Sequence, residues 1–324
     1  MLHKKSRTIL YKNTNLLPID FLYQKMLSSY IQTGGLDMKT KYKGIFFIIL
    51  SAFFFSLMAV FIRIAGDLHF VQKAFFRNFI AFFIALIVMI KNKEKFKINK
   101  TNLPDLLGRA ITGTIGIFCN FFAIEHLILS DASMLNKMSP FFAILFSLIL
   151  LKEKVSLSQS LIVGTAFIGS LFIVKPTAQL FQNPASLVGL IGGIAAGAAY
   201  TFVRKLGQKG ENKSIIVLFF SGFSCLITIP YLLFNFEPMT LKQLLALIGA
   251  GFSAAGGQFS ITAAYFHAPA KEISVYDYSQ LIFSMLLGYI LFGHIPDVLS
   301  FIGYGIIIAS AVFMFFYHTK STQD

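Results

Sequence analysis

The chain has 324 residues, of which 56% are hydrophobic and only 13% charged. About a quarter of the residues of a soluble domain are charged, so this composition excludes one and reads as a polytopic membrane protein. A net charge of +14 would suggest nucleic acid in a soluble protein, but the lysines lie between the apolar runs, which makes the charge a matter of membrane topology, with no nucleic-acid partner.

Residues 1–43 are polar and basic, with no helical apolar stripe and no signal-peptide cleavage site, and are expected to form a disordered cytoplasmic tail. Met38, opening MKTKYKG just before the first apolar run, is an alternative start. Ten apolar runs follow, over 44–62, 71–90, 106–124, 131–151, 158–174, 186–203, 214–234, 241–263, 274–293 and 298–317. Each is long enough to cross a bilayer, so the expected fold is an all-α membrane protein of ten transmembrane helices. Residues 318–324 form a short C-terminal tail. Assigning loops alternately to the two sides puts about 22 Lys and Arg on one side, six of them in 91–109 including Arg109, against about 4 on the other. Both termini are therefore expected in the cytoplasm. The 38 Phe and absence of Trp, with abundant Ile, Lys and Asn, fit the AT-rich codon usage of a small-genome bacterium.

The chain also matches itself. At an offset of 141 residues, without a gap, Arg63 meets Arg204, Ala123 meets Ala264, His126 meets His267, Ser133 meets Ser274 and Gly164 meets Gly305. Two units are expected, 44–175 and 186–317. Each holds five spans, an odd number, so the second copy enters the membrane upside down. Such inverted repeats place a substrate site near the bilayer midplane.

Polar residues inside the spans are the candidates for that site. Pro140 has no N–H, so the carbonyl of Asn136 loses its helical partner and the fourth span is expected to hinge there. Asn136, Lys137 and the freed carbonyl then make a polar cluster at lipid depth, tolerable where it faces a cavity or protein. The alternative is that Lys137 snorkels to the nearby helix end. The repeat mates of Asn136, Lys137 and Ser139 are Asp277, Tyr278 and Gln280, with Tyr276 adjacent. Inversion sets a cation and an anion around one cavity, which suits a zwitterion with an aromatic portion: Lys137 for a carboxylate, Asp277 for an ammonium, Tyr276 and Tyr278 for stacking. An internal Lys137–Asp277 ion pair is the alternative. Arg77 is either a second carboxylate anchor or a partner for backbone carbonyls and helix ends. Asn120, Gln258 and Tyr265 line the same cavity or make interhelical hydrogen bonds. Glu153, between Lys152 and Lys154, marks an interface or couples protons. No GxSxG, HExxH, Walker or CxxC pattern occurs, and His126 and His267 lack ligand spacing, so neither an enzyme nor a metal or cofactor site is expected.

Ala132, Pro140 and Glu153 in A-x7-P-x12-E spacing, preceded by FFAIEHLILSDAS, resemble the EamA type of the drug/metabolite transporter superfamily, over about 44–317. The second unit departs from that pattern, with Leu281 at the Pro position and His294 at the Glu position. The run RAITGTIGIFCNFFAIEHLILSDASMLNKMSP is similar to S-adenosylmethionine uptake transporters of obligate intracellular bacteria. This resemblance implies a bacterial inner-membrane carrier working by alternating access, importing S-adenosylmethionine in exchange for S-adenosylhomocysteine. Its alternative is an exporter of amino acids or small drug-like metabolites.

Overall fold

The computed structural model describes residues 35–94, 97–127, 129–178, 182–293 and 295–320. Most of the expected N-terminal tail, His294 and the last four residues lie outside the described residues.

Among the described residues, ten helical spans are long and apolar enough to cross a membrane, in the order the hydropathy predicts. They are α1 (Gly35–Ile64, crossing over Tyr42–Ile64), α2 (Phe70–Lys91) and α3 (Leu103–His126), then a fourth span in two pieces, α4 (Leu129–Asn136) and α5 (Ser139–Leu150). After α6 (Leu157–Val174), α7 (Ala185–Gln208), α8 (Lys213–Asn235) and α9 (Leu241–His267), the ninth span is again broken. It comprises α10 (Ala270–Ile273), a 3-10 segment (Ser274–Tyr278) and α11 (Ser279–Phe292), before α12 (Val298–Lys320).

The duplication is visible in the contacts. Gly108 lies so close to α7 that a Cβ there would meet the Phe202 ring at 2.5 Å, and Gly249, its repeat mate, would meet Phe61, the mate of Phe202, at 2.7 Å. Gly116 against Ala196 and Gly257 against Phe55 form a second mirrored pair, at 3.2 and 2.5 Å. Small residues let membrane helices approach where no hydrophobic effect drives them together. Capping is mirrored too: Ser156 closes a capping box on α6, and its mate Asp297 accepts from the Ser300 amide at the start of α12. Residue mates that touch each other must lie on the pseudo-two-fold axis. Lys137 and Tyr278 are such mates, the Tyr278 hydroxyl donating to the Lys137 carbonyl at 3.0 Å.

Alternate loops gather at the same end. At one end Lys205 and Lys209 reach Asp105 at 2.8 and 2.5 Å, Asn102 reaches Glu211, and Lys271 reaches the Lys154 carbonyl. At the other, Glu237 accepts from the His69 amide, Glu125 from the Phe70 amide, and Lys175 pairs with Asp297. Large apolar side chains such as Leu148, Leu226, Phe234 and Phe313 face outward, as a surface solvated by lipid tails requires.

Candidate functional site

The two halves frame a cavity of about 120 Å³, with room for several waters. Arg77 of α2, Arg109 and Asn120 of α3, Asn136 of α4, Tyr200 of α7, Gln258 of α9, and Asp277 and Gln280 of the ninth span supply its polar wall. Phe55, Phe121 and Phe220 supply aromatic faces. Both broken spans contribute residues at their break, where backbone leaves the helical pattern and polar groups are free to turn inward.

At the first break the chain leaves helix at Lys137 and Met138, and Pro140 sits in the first turn of α5, where its missing N–H costs nothing. A break in the fourth span therefore stands next to Pro140, with the Lys137 carbonyl taken up by Tyr278. The second break occurs at the repeat-related place although Leu281 stands where the first half has proline. There the Asp277 carbonyl is drawn to the Lys137 ammonium at 3.3 Å.

Lys137 is 4% exposed and does not line the cavity. Its ammonium pairs with the Asp277 carboxylate at 3.0 Å and also donates to Gln280 Oε1 at 2.6 Å. Together with the Asp277 carbonyl, these contacts engage all three of its donors. The geometry is thus the internal ion pair, and the Lys137 ammonium has no donor left for a carboxylate. Tyr278 is wholly buried in its structural contact. Tyr276 is buried with an unpartnered hydroxyl and does not reach the cavity wall, while Tyr265 lies behind the wall, stacked on Tyr200 at 5.3 Å between ring centroids. Of the expected site residues, the cavity brings together Arg77, Asn120, Asn136, Gln258, Asp277 and Gln280.

Two wall residues escaped the sequence. Arg109 counts among the loop charges of 91–109 although it falls inside the third apolar run, and it lies within α3, 3% exposed. Its Nη2 donates to Gln258 Oε1 at 2.8 Å and its guanidinium covers the Phe220 ring at 4.1 Å, while its Nε is buried without a partner. The readable signal was Gly113, one turn later: a Cβ there would sit 2.0 Å from Arg109 Nη1, so glycine makes the space the guanidinium occupies. Tyr200 had no such signal. Arg77, also 3% exposed, donates from Nε to the Met58 sulfur and from Nη1 to Asn78 Oδ1, both at 3.1 Å.

Glu153 lies away from the cavity. It accepts from Arg204 Nε at 3.1 Å and from Gln208, and Arg204 also donates to the carbonyls of Tyr265 and Phe266 that end α9. His126 and His267 are apart, each stacked on a phenylalanine, Phe122 and Phe47 respectively. Cys119 and Cys225 are free thiols.

This architecture has known counterparts. A solved crystal structure superposes with a TM-score of 0.70 over 84% of this chain and 96% of its own length, at 15% identity, a likeness of fold alone. Among characterised proteins, the pseudopaline exporter CntI of Pseudomonas aeruginosa is 30% identical over 83% of this chain and 94% of its own. A riboflavin transporter of Vibrio cholerae is 28% identical over 74% and 82% of the two chains. Human solute carrier family 35 member G1 is 28% identical over 83% and 78%. The profile of the EamA-like transporter family matches twice, at residues 42–175 and 183–316. A family profile on each five-span half agrees with the mirrored contacts, and the chain belongs to the EamA-like transporter family, as a multi-pass membrane transporter and not an enzyme.

Proposed function

We propose that this chain is a bacterial inner-membrane secondary carrier that exports a small amino-acid-type metabolite by alternating access. The observation that carries the reading is the polar cavity between the two halves, walled by residues from both and bordered near the pseudo-two-fold axis by Asp277 of the buried Lys137–Asp277 pair. Two inverted units rocking about that axis would present the cavity to either side in turn. Arg77, Asn120, Asn136, Gln258, Asp277 and Gln280 would contact the cargo, with Lys137 fixing Asp277 and Pro140 serving as the hinge.

The similarity to an exporter of a metabolite supports this reading over import of S-adenosylmethionine. The charge of the site supports it as well: Arg77 and Arg109 on the wall and Lys137 behind it outnumber the single carboxylate, Asp277, which pairs with Lys137, and this disfavours a cargo of net positive charge. The positive-inside rule favours a cytoplasmic position for the end bearing Lys205, Lys209 and Lys271, and with it for both termini. The test is reconstitution in proteoliposomes. Saturable efflux of amino acids, without uptake of labelled S-adenosylmethionine on exchange for internal S-adenosylhomocysteine, is the expected result; exchange-stimulated uptake of S-adenosylmethionine would return the reading to import.

A further inference from the structure

The cavity holds two guanidiniums and no carboxylate to answer them. The one acidic wall residue, Asp277, is already paired with Lys137. Among the described residues, no acidic side chain lies within ion-pair distance of Arg77 or Arg109. Each is 3% exposed, and arginine stays protonated at any accessible pH, so two positive charges are held in a largely desolvated space.

Structural arginines buried in membrane proteins end on carboxylates or on helix-terminal carbonyls, as Arg204 does here with Glu153 and the end of α9. Arg77 and Arg109 do neither. Arg77 spends two of its five donors on a thioether and a neighbouring amide. Arg109 spends one on Gln258 and leaves Nε unpartnered. The remaining donors form the planar fork that matches a carboxylate. A chain that needed only bulk at these positions would not retain two uncompensated charges, each of which costs several kcal/mol to desolvate.

We infer that Arg77 and Arg109 each receive one carboxylate of the cargo, so that the transported molecule is a dicarboxylate of net negative charge, its amine directed to Asp277. This rests on the carrier reading above and narrows its substrate class. Gln258 holds Arg109 from one side and the Phe220 face supports it from below, so the fork is oriented before the cargo arrives. Arg77 is held in the same way by Asn78, itself anchored to the Ser224 hydroxyl at 2.8 Å.

The experiment uses proteoliposomes of the full chain loaded with two size-matched pairs of probes, glutamate with glutamine and glutathione with its glycine monoethyl ester. Within at least one pair, the dicarboxylate is expected to leave at least tenfold faster than its partner with one carboxylate. Arg77→Gln and Arg109→Gln should each collapse that ratio towards one, whereas Arg109→Lys, which keeps the charge and loses the fork, should keep the preference at a lower rate. A purely structural role would slow both members of a pair equally and leave the ratio unchanged, and that result overturns the inference. Faster efflux of glutamine or of the monoester would overturn it while leaving the carrier reading intact. Absence of flux for all four probes from sealed vesicles would overturn both.

Discussion

At the scale of single residues, the Lys137–Asp277 pair couples the halves through two side chains that are only 5% and 10% exposed. Removing one partner of such a pair leaves a buried charge unanswered, at a cost of about 3–5 kcal/mol, whereas replacing both by apolar groups is often neutral. Lys137→Met should therefore lower the unfolding temperature in detergent sharply, and Lys137→Met with Asp277→Leu should recover most of it while transport stays lost. Equal stability in all three proteins would show that the pair does not join the halves. Gly113→Ala tests the neighbouring arginine. Its Cβ would lie 2.0 Å from Arg109 Nη1 and 2.8 Å from the Phe220 ring, so the guanidinium must leave its place. Efflux should then show the selectivity of Arg109→Gln although Arg109 itself is unchanged.

At the scale of elements, the two breaks have different origins. Pro140 announces the first in the sequence, but the second has no proline and is held by the Lys137 contacts to the Asp277 carbonyl and Gln280. If tertiary bonds suffice, Pro140→Ala should keep the broken fourth span and near-normal transport. Tyr278→Phe, which removes the donor to the Lys137 carbonyl, should cost about 1 kcal/mol, and the two together should cost more than their sum, measured by thermal unfolding. This difference marks what the sequence makes legible. Apolar periodicity and length give ten spans, and self-comparison gives two units. By contrast, the ninth-span break depends on a partner about 140 residues away, which no local pattern encodes, and the inward turn of Arg109 depends on Gln258, 149 residues away, with Gly113 as its local trace. The latch between the loops before α7 and α12 carries a separate prediction. The Asp297 carboxyl is held down to about 2 by the Lys175 ammonium, then by the Ser300 amide and hydroxyl. A depressed folded-state pKa means that the contact contributes above about pH 4 and fades as pH falls through about 2. The stability difference between the native chain and Asp297→Asn should accordingly be constant from pH 5 to 8 and shrink only below pH 4.

At the scale of the whole molecule, the mirrored glycine joints say how the halves would move. Gly108 against Phe202 lies towards the end bearing the basic loops, and Gly249 against Phe61 towards the opposite end. The two approaches, 2.5 and 2.7 Å for a Cβ, are nearly equal, so neither end is parted relative to the other at these joints. In an inverted repeat the two joints are one contact seen twice, and rocking towards one side must loosen one as it tightens the other. Alanine acts as a wedge, because a Cβ under 3 Å from a ring forces the ring or the helix to give way. Gly108→Ala should bias the carrier open at the basic end and Gly249→Ala at the other. The readout is a thiol on the cavity wall, Ala199→Cys, with Cys119 and Cys225 replaced by Ser, modified by a membrane-impermeant reagent applied from each side. Opposite shifts in the two variants, each several-fold, are expected. Shifts of the same sign, or none, would mean that the duplicated halves do not exchange roles, and the site would have to be reached through one fixed opening.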